Sequence, residues 1–139
     1  MAGSETSVSA VTSDYFATVL DVLGYTLPAA KRRPYDGVSL IPLIEGKMSQ
    51  RSSPIGFQGH GMATLNDNRF KLVHNPGMKR LKSDNGRAPV MEWELYDLEN
   101  DPSESKNIID EHATIAAKMR KQLEEWQESC DASNRGEDY

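Results

Sequence analysis

Few side chains in this sequence could make or break bonds: one cysteine, Cys130, and three histidines, His60, His74 and His112, in 139 residues. Cys130 is followed by Asp131 and lies far in sequence from His60 and His74. No base is at hand to activate it, and its acidic neighbours disfavour the thiolate that a nucleophile needs. A single cysteine also excludes an intramolecular disulfide framework and a cysteine-rich zinc site. The histidines form no H-x-H, H-E-x-x-H or H-x3-H pair, so a paired-imidazole metal site is not expected. His60 stands between Gly59 and Gly61 in a predicted hairpin loop, where its ring is exposed and other backbone can approach closely. It is the candidate substrate-contacting donor of the three; His74 and His112 read as structural or solvent-facing.

Carboxylates gather at Glu92, Glu94, Asp97, Glu99, Asp101 and Glu104. A calcium loop needs oxygen ligands at alternating positions, a glycine and a closing acid, and that pattern is missing. Glu92 and Glu94 are expected on the solvated outward face of a strand, and Asp101 and Ser103 are expected to cap a turn ahead of Asn107. Two basic groups, Lys31-Arg32-Arg33 and Lys79-Arg80-Leu81-Lys82, have the chemistry to meet an anionic ligand, which makes Lys79 and Arg80 candidates. Gly56, Gly59 and Gly61 open no helix, so there is no phosphate-cradling loop. The net charge of −5 leaves no global basic footprint for nucleic acid. No stretch approaches the roughly 18 apolar residues of a membrane span, and residues 1–10 have neither the basic nor the apolar region of a signal peptide. No nucleophile, base and orienting group come together, which argues against a small enzyme in its own right.

The elements around these residues follow from periodicity. Phe16, Val19, Leu20 and Leu23 recur at helical spacing, with Ser13 or Asp14 placed to cap the start and Gly24 to end it, giving a helix over 14–23. Residues 25–54 hold four of the seven prolines, which leaves room only for a short helix over 38–44 with Pro42 in its first turn. From residue 54 the period drops to 2. Short runs around Ile55–Phe57, Met62–Leu65, Phe70–Leu72 and Met91–Leu95 alternate in hydropathy, and the first three are joined by turn residues. Residues 75–90 read as a long polar loop. A helix over 111–129 carries Ile115, Met119, Leu123 and Trp126 in one apolar stripe. The expected fold is α+β: a four-stranded antiparallel sheet packed on a long C-terminal amphipathic helix, with an N-terminal helix and a proline-rich connection.

Several separated stretches together resemble the C-terminal part of the arylsulfatase-type sulfatases of the alkaline phosphatase superfamily. They are Ser13-Asp14-Tyr15-Phe16-Ala17-Thr18-Val19-Leu20-Asp21-Val22-Leu23-Gly24, Asp36-Gly37-Val38-Ser39-Leu40-Ile41-Pro42-Leu43-Ile44-Glu45-Gly46, Asn66-Asp67-Asn68-Arg69-Phe70-Lys71-Leu72-Val73, and the most specific, Glu94-Leu95-Tyr96-Asp97-Leu98-Glu99-Asn100-Asp101-Pro102-Ser103-Glu104-Ser105-Lys106-Asn107. Their order and spacing follow the family from about 8 to 127. Ala17 departs from it, standing where proline is common.

The resemblance implies a sulfuric ester hydrolase as parent, using calcium and a formylglycine made from Cys or Ser in Cys/Ser-x-Pro-x-Arg. Cys130-Asp131-Ala132-Ser133-Asn134 does not fit that motif, so no catalytic or metal residue carries over and no cofactor is expected in this stretch. It implies an N-terminal sulfatase domain as partner, a sulfated small molecule or glycan as the parent's substrate, and a compartment that is commonly secreted, periplasmic or lysosomal. Because the family's subdomain borders the substrate pocket, His60, Lys71 and the 75–90 loop with Lys79 and Arg80 become substrate-side candidates; Lys71 could instead pair with acids of the 94–97 strand.

Four segments are expected: 1–10 as tag or disordered lead-in, 11–52 as the edge of the large domain, 53–129 as the sulfatase-like subdomain and 130–139 as a disordered tail. The apolar face of 14–23 would then be exposed, or covered by a homo-oligomer. The expected role is structural and cleft-lining, with an independent non-catalytic binding module as the alternative.

Overall fold

The structure is a computed structural model; it describes residues 3, 5–28, 35–77 and 91–137. In chain order it forms α1 (Asp14–Val22), α2 (Ile41–Ile44), β1 (Ile55–Gly59), β2 (Met62–Asp67), β3 (Phe70–His74), β4 (Trp93–Asp97) and α3 (Ala113–Asn134). These fall into two compact units, Met1–Ile55 with Ala132–Tyr139, and Gly56–Asp131.

In the second unit the strands lie in the order β1-β2-β3-β4. Leu65, Leu72 and Leu95 face one another across β2, β3 and β4 in register. All three are almost wholly buried, together with Ala63, Ile108, Ala116, Met119 and Leu123, so one sheet face and one stripe of α3 form the core. This is the expected two-layer α+β arrangement. Gly56 is required where it stands, because a Cβ there would lie 2.4 Å from the Trp126 ring of α3.

Two hairpins turn tightly. His60 and Gly61 both adopt left-handed backbone, φ 53° and 78°, as a two-residue type I′ turn requires. Asn68, φ 50°, opens the next. The outer edge of β4 is covered by the chain that follows it. Asn107 Oδ1 accepts the Leu95 N–H at 3.0 Å, and the Ile108 N–H donates to the Leu95 carbonyl at 2.9 Å.

In the first unit, α1 ends on Gly24 in a left-handed conformation. The Gly24 N–H donates to Asp21 and the Tyr25 N–H to Leu20, and α2 and α3 close in the same way on Gly46 and Gly136.

Three expectations need correction. Ser13 makes no side-chain capping bond, and Asp14 opens α1 with its carboxylate turned elsewhere. Glu94 is buried, not solvated, because Asn75 from just beyond β3 and the Met91 N–H both donate to it. Finally, α3 does not stop near 129 but continues through Cys130 to Asn134.

Candidate functional site

Of the four candidate residues the structure describes two, His60 and Lys71, and these do not converge. Lys79 and Arg80, like Lys31-Arg32-Arg33, lie outside the described residues. His60 is exposed at the tip of the β1–β2 turn. Lys71 points away from α3, since alternation puts its neighbour Leu72 in the core. Its cross-strand partners are Asn66 and Tyr96. Asn66 lies four strand positions from Met62, which follows the His60 turn, so about 14 Å of strand separates the two candidates.

Lys71 is already matched: its Nζ donates to both carboxylate oxygens of Glu104, at 2.7 and 2.8 Å. The partner is therefore Glu104 rather than an acid of the 94–97 strand. Glu104 reaches Lys71 from a turn where its own backbone is left-handed, φ 54°. Around this pair the sheet face is polar and half-buried. Burial, and then the charges of Glu94, Glu104 and Asp101, push the Tyr96 hydroxyl up to about 12, so it stays protonated and able to donate. The amide oxygen of Asn66 is buried with no hydrogen-bond partner among the described residues.

The run from Asp97 to Asn107 is built from acids that accept local bonds. Asp97 takes Arg69 on both oxygens and the N–H groups of Glu99 and Asn100. Hydrogen bonds from Arg69 and then Asn100 hold its carboxyl well below the usual range. Asp101 accepts Ser103, Ser105 and the Lys106 N–H, which is the expected turn cap. The most specific sequence motif is thus a turn that feeds the chain onto the edge of β4.

Two arrangements escaped the sequence reading. In the first unit, Asp14 and Arg51 form a bidentate ion pair at 2.7 and 3.0 Å, with side chains 0% and 1% exposed. The same carboxylate accepts the N–H groups of Val11 and Val38. Gly37 permits the second contact by letting its backbone lie against Ser13, where a Cβ would come within 2.1 Å of the carbonyl oxygen. In the second unit, His74 stacks on Trp93 at 3.8 Å and 6°, and the Arg120 guanidinium lies 4.0 Å from the Trp93 ring centre. Neither group shares a spacing motif, so no sequence signal marked them.

The described residues hold no group of three His, Cys, Asp or Glu able to bind a metal, and no described helix is long and apolar enough to cross a membrane. The buried acids are matched instead, Asp14 by Arg51, Glu94 by Asn75 and Asp97 by Arg69. With Cys130 outside a Cys-x-Pro-x-Arg setting, the described donors do not fit calcium and formylglycine chemistry.

A four-stranded antiparallel sheet under one long helix, entered through the Asp97–Asn107 turn, is the architecture of a sulfatase C-terminal domain. Residues 2–129 match the N-sulphoglucosamine sulphohydrolase C-terminal family, and the chain belongs to that family. Delta 4,5-hexuronate-2-O-sulfatase from Bacteroides thetaiotaomicron is 28% identical over 118 residues, covering 83% of this chain and 23% of that protein. An enzyme solved in complex with its substrate D-glucosamine-2-N,6-O-disulfate is 25% identical, with TM-score 0.53, over 84% of this chain and 23% of the other. A 2-O GAG sulfatase, 23% identical, shares the fold with TM-score 0.56 over 88% of this chain and 26% of its own. The chain therefore spans about a quarter of the length of these relatives.

Proposed function

We propose that this chain serves as the C-terminal subdomain of a glycan sulfatase, inactive alone, with the sulfate-ester chemistry carried by residues outside it. The observation that carries this reading is the family match over 2–129, joined to 25% identity with an enzyme solved with a disulfated glucosamine. The parent would supply calcium and formylglycine from its larger part, in keeping with a described donor set that fits neither. The subdomain would border the substrate cleft, with His60, Lys71, Lys79 and Arg80 on the substrate side. The larger part would cover the apolar surface of α1, where Tyr15, Phe16, Val19, Val22 and Leu23 are all at least half exposed; a second copy of the chain is the competing occupant.

The test is sulfate release. The purified chain, given D-glucosamine-2-N,6-O-disulfate and calcium, is expected to release no sulfate above background, and turnover would overturn the reading. In a full-length sulfatase carrying this domain, His60→Ala is expected to raise KM several-fold with kcat little changed. An unchanged KM would remove His60 from the cleft.

A further inference from the structure

Beside the Trp93 stack lies a solvent-open cavity of about 320 Å³ between β3, β4 and α3. Its floor and walls are apolar: Leu72, Trp93, Ile109 and the alanines 113, 116 and 117. Four charged side chains, Asp110, Arg120, Lys121 and Glu124, line the rest. The volume is at the low end of small-molecule sites, about 300–1,000 Å³, which suits one ring rather than an extended chain.

Arg120 is the informative member. It has no ion-pair partner among the described residues, unlike Lys118, which reaches Asp67, or Arg69, which reaches Asp97. Its guanidinium is held over Trp93, and Trp93 is backed in turn by His74. Contact with the ring through the cation–π attraction leaves guanidinium N–H groups available to other partners and restricts a side chain that would otherwise sample many rotamers. A guanidinium with no ion-pair partner at a cavity wall has the chemistry of an anion receptor, since two of its N–H groups can match two oxygens of a sulfate or carboxylate. Lys121, paired only at 3.6 Å with Glu125 on an exposed surface, adds a second cation. Asp110 and Glu124 are acceptors, which suit hydroxyl or ammonium hydrogens and oppose a ligand that is anionic all round.

We infer that this cavity binds a single sulfated sugar ring, with the sulfate on Arg120 and Lys121 and the ring's hydroxyl or amino groups on Asp110 and Glu124. The choice of a saccharide rests on the reading of the chain as part of a glycan sulfatase; the anion site rests on the geometry alone. The site lies apart from His60 and Lys71, which are not among the cavity's lining residues, and it would act as an additional holding point for glycan.

The two ideas fail separately, because this one is read as binding by the chain and the other as sulfate release. The experiment titrates the whole chain with D-glucosamine-2-N,6-O-disulfate, unsulfated D-glucosamine and inorganic sulfate, each followed by calorimetry and by the Arg120 side-chain N–H resonance. The disulfated sugar is expected to shift that resonance and to bind at least tenfold more tightly than either of the others. Arg120→Ala and the cavity-filling Ala117→Phe are each expected to weaken it tenfold or more with the melting temperature retained. Both side chains are exposed on α3, so the fold tolerates the changes. Sulfate binding as well as the sugar would reduce the site to a simple anion site and overturn the saccharide assignment. Equal binding of unsulfated glucosamine, or affinity unaltered in both variants, would overturn the inference altogether.

Discussion

Asp14 and Arg51 are 37 positions apart, yet their charged ends meet where water does not reach. An ion pair in that setting offsets its desolvation only if every remaining lone pair and proton is used. Here the carboxylate also accepts Val11 and Val38, and the guanidinium also donates to the carbonyls of Ser9 and Ser53. The pair therefore ties the lead-in, α1, the 36–38 segment and the approach to β1 to one point. Asp14→Asn removes the carboxylate that the buried Arg51 guanidinium pairs with, so it is expected to cost the first unit about 3–5 kcal/mol. The readout is hydrogen exchange of the α1 amides, and protection equal to the parent chain would contradict it. Acid should act on the same point. Burial pushes the Asp14 carboxyl up, but the bonds from Arg51, Val38 and Val11 outweigh it and the net shift is downward from 3.8. The Asp97 carboxyl is lowered too. Both are deprotonated in the folded chain at a pH where the unfolded chain has begun to bind protons. Their contribution is thus fully present above the ordinary carboxylate range and is lost as pH falls through the lowered folded values. Urea midpoints are expected to be flat from pH 7 to 5 and to drop below about 4. In Arg51→Met the part of that drop due to Asp14 should shrink.

At the scale of elements, the edge of β4 and the packing of α3 on β1 carry separable tests. Asn107 holds the Leu95 N–H on one oxygen and also accepts Ile109. Asn107→Ala leaves a strand donor beside the core without a partner, with an expected cost of about 1–3 kcal/mol in chemical denaturation. Gly56→Ala would drive a methyl into the Trp126 ring, which must shift, with an expected cost of about 1–3 kcal/mol and a change in tryptophan emission. Much of this level was legible in the sequence. Alternation around Leu65, Leu72 and Leu95, the turn chemistry of Asn68 and of Asp101-Pro102, and the Ile115–Trp126 stripe all express local rules of spacing and backbone preference. What escaped depends on tertiary placement. Glu94 alternates like a surface residue, yet it is buried, with Asn75 and the Met91 N–H both donating to its carboxylate. His74 meets Trp93 because the β3–β4 register makes them cross-strand partners, and Arg120 joins them only once α3 is laid on the sheet. Lys71 was marked as a candidate by the family resemblance, but its match to Glu104 depends on the left-handed turn that carries Glu104 back over the sheet.

Over the whole molecule the two units are unequally provisioned with apolar burial. Among the described residues, every buried hydrophobic one but Ala17 and Ile55 lies in Gly56–Asp131. The second unit has a connected core, so Leu72→Ala, at a wholly buried position, should cost about 2–5 kcal/mol and lower its melting temperature. The first unit is tied at the buried Asp14–Arg51 pair, with further bonds from Ser39 to Asp21 and from the Leu40 N–H to Thr18, and it exposes most of the apolar side chains of α1. A contiguous exposed apolar surface on a folded chain marks a face that another surface covers, and until it is covered that face should bind hydrophobic dye. The chain alone is expected to enhance the fluorescence of such a dye at neutral pH, where the core of the second unit is intact. Its α1 amides should exchange well before those of α3, because local opening there exposes little additional apolar surface. The double change Phe16→Glu with Val19→Lys alters exposed positions, so it should leave the melting temperature of the second unit within a degree or two, given surface effects of about 0.5 kcal/mol, while removing most of the dye signal. If dye binding survives that change, the exposed surface is elsewhere; if the parent chain binds no dye and runs as a strict monomer, α1 is not an unpaired interface.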